Sequence, residues 1–495
     1  MKRIALLLIV LGWFGGLTAQ NSTLPTVTII TDGPIVNTPA VHGIIQVDDH
    51  NGNVIEMHAG FKIRGTSSQQ YDKKSYRVEL WTDETGTLMA DTTFLGMRSD
   101  DDWNLEAMYN QPLRLRNKIA NELWREIYTL PYQATEPEAA SSVAMEYVDV
   151  YVNGTHAGVY TLSERVDRKL LGLRKYNGNL RGLLFKGNGP GNASFEELPE
   201  YDNTLDEWGQ FEWVYPNESD TLIDWSSLYN FVNFVMNSTN NAFYAMYPTM
   251  FEEDNAIDYY LFVNAIGAVD NMDRNTFIAR QKKSSAFFYV PWDLDGVLGN
   301  DADGQPATPV SGLYSNGFFD RLVQDCSSNG FAVKAQERYN ALRDSILTTE
   351  YIMEMIRAQY ETLVDLGVYD IEHEVWPEFE VDASNLDYIA EWLDARFAWL
   401  DTEINSACGT WSNGEMPETS GVEVFPNPAK DCINIRFAEA GEATVQVYDM
   451  MGRLVCSTVG DAQVLTLPTQ GLPGGVYAVV TNQNEKQFVN RIIIE

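Results

Sequence analysis

Tyr147-Val148-Asp149-Val150-Tyr151-Val152 is, Asp149 apart, a run of β-branched and aromatic residues, a composition that suits a pleated, half-buried strand. Working outward, residues 26–80 and 145–163 read as strands and hairpins, with Phe61-Lys62-Ile63-Arg64 as another member. Further along the chain the period changes. Ile119, Leu123 and Ile127, the stretch 335–365, and Ile389, Leu393, Phe397 and Leu400 all recur at helical spacing. The main domain is therefore expected to be α+β, with a strand-rich N-terminal half and a helix-rich C-terminal half.

Residues 409–420, Gly-Thr-Trp-Ser-Asn-Gly-Glu-Met-Pro-Glu-Thr-Ser, are small, polar and turn-forming, as in an interdomain linker. Beyond them, Thr444 to Tyr448, Val464 to Leu467 and Val476 to Val480 are short segments separated by Gly, Pro and Asp. They predict a small Ig-like β-sandwich over 421–495. At the other end, Met1-Lys2-Arg3, the apolar run Ile4 to Leu11 and the small residues up to Ala19 have the order of a secretory signal peptide covering residues 1–20. The expected organisation is signal peptide 1–20, main domain 25–408, linker 409–420 and terminal sandwich 421–495. No later stretch has the ~18 apolar residues a membrane helix needs, so no transmembrane segment is expected in the mature chain.

The chain has 70 acidic and 34 basic residues among 495, a formal charge of −36. That sign disfavours nucleic acid and anionic membranes as partners and leaves room for a basic one. Cys326, Cys408, Cys432 and Cys456 form no C-x-x-C pair, which argues against zinc and dithiol redox chemistry. They allow two bridges, one per domain, or four buried thiols. The five histidines, His42, His50, His58, His156 and His373, sit in no hydrolase motif.

The residues that invite chemistry lie between 64 and 295. Asp270-Asn271-Met272-Asp273-Arg274-Asn275 follows the apolar run Tyr260 to Val269. Its D-x-x-x-x-N spacing is that of a phosphotransferase catalytic loop, in which the Asp takes a hydroxyl proton and the Asn holds metal. The same spacing also suits a turn or a helix cap. Downstream, Phe287 to Pro291 reads as a strand delivering Trp292-Asp293-Leu294-Asp295-Gly296. Strand alternation would put Asp293 and Asp295 on one face, able to share metal. Asp301 and Asp303 nearby keep a calcium loop in view. For a cation on nucleotide phosphates, alternation through Lys73-Lys74-Ser75-Tyr76-Arg77 points Lys74 inward and Lys73 and Arg77 outward. Arg64, opening the turn Arg64-Gly65-Thr66-Ser67-Ser68, and Lys186 are further basic candidates. Glu122 and Glu164 are both placed to partner the lysine.

The motifs FKIRGTSS, KKSYR, DWNL, YVDVYVNGTHAGVYTLSERVD, DNMDRN, FFYVPWDLDG and NGFFDRL occur in this order between residues 61 and 322. Together they resemble the CotH family of secreted atypical kinases, over roughly residues 25–405. The resemblance implies an atypical protein-kinase-like core, ATP with Mg²⁺ or Mn²⁺ (Ca²⁺ as an alternative ion), and transfer of the γ-phosphoryl group to Ser or Thr of exported or surface proteins. The acceptor is unidentified; the strongly acidic chain would suit a basic, Ser/Thr-rich one. In those terms Asp270 is the base, Asn275, Asp293 and Asp295 hold metal, and Lys74, Arg64, Glu164 and Lys186 serve the nucleotide. The alternative is a non-catalytic surface binding protein or adhesin on the same scaffold, holding calcium. The tail, with Val424-Phe425-Pro426-Asn427-Pro428-Ala429, Val447 to Arg453 and Gly475-Val476-Tyr477, resembles the type A C-terminal sorting domain of the type IX secretion system. That resemblance implies the secretion machinery as a partner, a secreted or cell-surface location, and removal of the tail.

Overall fold

The computed structural model describes residues 23–217, 223–408, 422–437, 441–449, 454–483 and 486–494. The signal peptide expected over 1–20 and the linker expected over 409–420 lie outside the described residues.

The first half of the chain closes into a barrel. Its strands are β1 (Thr26–Thr31), β2 (Val41–Asp48), β3 (Val54–Ile63) and β4 (Tyr76–Trp81), then, after the two-residue pair β5 (Thr92–Thr93) and β6 (Ser99–Asp100), β7 (Asp102–Glu106), β8 (Met145–Val152) and β9 (Thr155–Ser163). The order round the barrel is β1-β2-β3-β4-β7-β9-β8, and parallel pairing of β1 with β8 closes it. Alternation fills the interior. Val27 and Ile29, Ile45 and Val47, Val78 and Leu80, and Trp103 and Leu105 all point to the same fully buried interior.

The outer wall of the barrel is partly buried as well. Met145, Tyr147 and Val159 pack with Ile119 and Leu123 of α1 (Arg116–Ile127) in the larger core of the molecule. That core continues through a five-stranded sheet of order β11-β12-β10-β13-β14, made of β10 (Leu183–Asn188), β11 (Glu207–Trp208), β12 (Phe211–Tyr215), β13 (Arg274–Arg280) and β14 (Phe288–Pro291). Between its strands and after them come α2 (Ser226–Asn237), α3 (Asn240–Met250), α4 (Glu253–Ile266), α5 (Gly317–Leu322), α6 (Phe331–Arg343), α7 (Thr349–Asp365), α8 (Val368–Val375) and α9 (Ser384–Ser406). The main domain is thus mixed α+β, strands first and helices later. The expected halves interleave, because β13 and β14 return from the helical half to complete the sheet.

Two further expectations change. Cys326 and Cys408 form a disulfide, whereas Cys432 and Cys456 are free, half-buried thiols, so the tail has no bridge. The alternation drawn through Lys73 and Lys74 does not apply, because β4 begins only at Tyr76. Lys73 is the buried member. Its Nζ donates to Glu372 Oε1 at 2.7 Å and to the Val159 carbonyl at 2.5 Å, while Arg114 Nε donates to Glu372 Oε2 at 2.9 Å. Burial pushes the Lys73 ammonium down to about 7 against the pull of Glu372.

The tail folds as two sheets, β15 (Val422–Phe425), β16 (Cys432–Phe437) and β19 (Val464–Pro468) facing β17 (Glu442–Tyr448), β18 (Leu454–Asp461), β20 (Gly475–Gln483) and β21 (Lys486–Ile494). Ile433, Ile435, Val445, Val447, Tyr477 and Val479 fill the space between them. Among the described residues no helix is long and apolar enough to cross a membrane.

Removing one partner of a fully buried ion pair costs far more than removing one at the surface. Glu372→Ala should therefore lose about 3–5 kcal/mol in denaturant unfolding of the main domain, since it strands both Lys73 and Arg114. Glu423→Ala, which breaks the exposed pair with Arg436, should cost under about 1 kcal/mol.

Candidate functional site

A cavity of about 900 Å³ opens between the barrel wall and the five-stranded sheet. Three loops build its chemistry. The first leaves β3 as Arg64-Gly65-Thr66-Ser67-Ser68, all five lining the cavity. Gly65 has φ +96°, and a Cβ there would lie 1.9 Å from Ser68 Oγ, so only glycine fits this turn.

The second loop follows α4, whose residues Asn255 to Ile266 are all buried. Gly267 ends the helix at φ +70°, and a single helical turn, 269–272, then presents Asp270. Asn271 is 2% exposed and ties this loop to the next. Its amide donates to the Asn275 carbonyl at 2.7 Å and to the Trp292 carbonyl at 2.9 Å. The Trp292 N–H donates back to the Asn275 carbonyl at 3.0 Å.

The third loop follows β14. The strand stops at Pro291, and Asp293 sits at φ +56° with Asn275 at φ +50°. Left-handed backbone at non-glycine residues costs free energy and concentrates at functional sites. Strand alternation therefore does not bring Asp293 and Asp295 together, although both line the cavity. The turn itself does so, by burying Leu294 between them.

One buried acid joins these parts. Glu106, at the end of β7, accepts from Arg64 Nη1 at 3.0 Å and from Asn117 Nδ2 at 2.8 Å. Asn117 Oδ1 in turn accepts the Leu294 N–H at 3.1 Å. Burial pushes the Glu106 carboxyl up, Arg64 pulls it down, and the charge of Asp293 pushes it up again. Asp295, half-buried beside it, is raised well above the ordinary range, first by loss of hydration and then by Asp293. Among the described residues its side-chain hydrogen-bond partner is the Asn110 amide at 3.4 Å. Among the described residues neither Asp293 nor Asp295 has an ion-pair partner.

The cavity wall collects Asp270, Asn275, Asp293, Asp295, Arg64 and Lys186 from the expected set. Lys186 faces it from β10 without a carboxylate in ion-pair range among the described residues. Asp270 and Arg274 lie 3.8 Å apart, both partly exposed. Lys74 and Glu164 are not in the wall. The Lys74 ammonium is spent on the carbonyls of Gln69 and Tyr71. Glu164 accepts the N–H groups of Ala144 and Arg98, at 2.8 and 3.1 Å. Glu122 pairs with Lys118 one helical turn away. The residues missed were Glu106, Asn117 and Asn271. In Asp102-Trp103-Asn104-Leu105-Glu106 the inward pair Trp103 and Leu105 leaves Glu106 on the cavity side, a parity that was available in the sequence.

Of the other acidic groups, Asp301 caps its own turn, accepting the N–H groups of Asp303 and Gln305 at 3.0 and 2.9 Å. Asp91, Asp100 and Asp101 converge, but Lys169 Nζ already donates to all three.

Residues 61–400 match the family profile described as CotH kinase protein. The chain belongs to the CotH family. A 304-residue stretch is 25% identical to the inner spore coat protein H of Bacillus subtilis (strain 168), covering 61% of this chain and 75% of that one. Residues 423–495 match a secretion system C-terminal sorting domain, as the Pro426-Asn427-Pro428 entry led us to expect. A 78-residue stretch is 28% identical to an endo-acting ulvan lyase of Formosa agariphila (strain DSM 15362 / KCTC 12365 / LMG 23005 / KMM 3901 / M-2Alg 35-1), 15% of either chain. The sorting tail places this CotH protein outside the cell or on its surface.

A carboxyl whose folded pKa is raised favours folding below the unfolded value of about 4 and loses that advantage as pH climbs through the raised value. In chelator, Asp295→Asn should therefore melt above wild type at pH 8, the gap closing toward pH 4. Added Mg²⁺ or Mn²⁺ should raise the melting temperature of wild type more than that of the variant.

Proposed function

We propose that this protein is an exported, metal-dependent atypical kinase that transfers the γ-phosphoryl group of ATP to Ser or Thr hydroxyls of exported or surface proteins. The observation that carries this reading is the convergence of Asp270, Asn275, Asp293 and Asp295 with Arg64 and Lys186 on one polar cavity. In a chain of charge −36, arginines and lysines gathered in one cavity suit a polyphosphate.

The donor set fits a divalent ion. Two adjacent carboxylates without a protein cation, plus the Asn275 amide, offer the hard oxygen ligands that Mg²⁺ and Mn²⁺ prefer. Asp293, Asp295 and Asn275 would hold it, and when bound it would neutralise charge on the phosphate oxygens. Arg64, fixed by Glu106, and Lys186 would then meet the remaining phosphate charge. Asp270 would accept the proton of the acceptor hydroxyl as its oxygen bonds to the γ-phosphorus. The bond from that phosphorus to the β,γ-bridging oxygen breaks, and ADP leaves with the electron pair. Arg274, 3.8 Å from Asp270, adds a further cation at this edge of the cavity. Asp301, engaged in its own turn, adds little to a calcium-loop alternative.

Export of this kinase would begin with the signal peptide 1–20, cleaved near residue 19–20, and use the tail as a type IX signal that is then removed. Incubating the chain with labelled ATP and Mn²⁺ tests the reaction. Phosphate should appear on the protein or on an added basic Ser-rich acceptor, and Asp270→Asn should lower the rate about 10²–10⁴-fold, the usual contribution of a general base. Undiminished transfer by Asp293→Asn, or no transfer by wild type, would sink the proposal.

A further inference from the structure

We propose that the sorting domain docks on the CotH domain through a dedicated contact, the outer face of its β17-β20-β21 sheet against α3, and that its removal uncovers both faces.

The argument starts with β20. Val476-Tyr477-Ala478-Val479-Val480 is apolar at five successive positions, the pattern of a strand covered on both faces. The sandwich interior accounts for one face, through Tyr477 and Val479. It leaves Ala478 and Val480 on the outside, yet these are 0% and 3% exposed. Ala478 is covered by α3, which contacts both β20 and β21. Ala478 accordingly belongs to the same apolar cluster as Phe243 and Met246 of α3, and Tyr448 and Val476 pack against that cluster. Tyr448 stands directly across from Ala478 in the sheet, so the contact is a continuous patch and not a single touching side chain.

Part of the α3 surface away from the main core is also half-buried. Phe243, Met246 and Tyr247 face the main core, while Tyr244, Ala245 and Met250 are half-buried on the rest of the helix surface. A patch this small holds because both partners share one chain, and tethering replaces a bimolecular encounter by a high effective concentration. Removal of the tail comes from the export reading above; the contact itself does not depend on kinase chemistry.

Small-angle X-ray scattering of the full chain tests the dock, with one variant on each side of it. Wild type should scatter as a compact particle. Ala478→Arg on the sheet and Ala245→Arg on the helix should each lengthen the maximum dimension by about 20 Å, the root-mean-square span of a dozen residues of chain once the contact is lost. Circular dichroism melts report whether each variant still folds, and Ala245→Arg leaves the sorting domain untouched. An already extended wild type, or two folded variants as compact as wild type, would overturn the proposal. Loss of kinase activity has no bearing on this readout.

Discussion

The site depends on one buried carboxylate. Glu106 holds Arg64 with one oxygen and Asn117 with the other, and Asn117 passes the constraint to the Leu294 N–H between Asp293 and Asp295. Four elements are fixed by this chain of contacts: the β3 turn, the end of β7, α1 and the loop after β14. A carboxylate in a poorly hydrated place is costly unless charged or polar partners satisfy it. Those partners are the residues whose placement the cavity requires, so satisfying Glu106 and ordering the cavity are the same event. Asn271 does similar work from the other side, tying the 270–275 loop to Trp292.

The strain in the two loops is consistent with that view. Asn275 and Asp293 both take left-handed backbone, a conformation that surrounding contacts must enforce. The enforcing contacts are visible: the Asn275 carbonyl accepts from both Asn271 and Trp292, and Leu294 is fully buried next to Asp293.

Much of the fold was legible. Alternation located the barrel strands, and helical spacing located α1, α7 and α9, because those patterns arise from burial on one face. Closure of the barrel was not legible, since it depends on parallel pairing of β1 with β8, more than 100 residues apart. Within the site, Asp270, Asn275, Asp293, Asp295, Arg64 and Lys186 could be picked out by residue type and spacing. Lys74 could not be judged correctly, because the strand that would have set its direction starts two residues later. Glu106, which holds Arg64, escaped notice for a different reason. The expected partners of a lysine, Glu122 and Glu164, lie on a helix and after β9, whereas Glu106 lies at the end of a barrel strand.

The most direct test of this account is a manganese titration followed by electron paramagnetic resonance, with ATP present, on wild type and Asn117→Ala. Asn117 supplies no proposed ligand, so its effect passes through the two groups it holds, the Leu294 N–H and Glu106. The account predicts that wild type binds Mn²⁺ and that folded Asn117→Ala binds it about fivefold more weakly, the loss of roughly one hydrogen bond's worth of positioning. Equal affinity in the two proteins would contradict it.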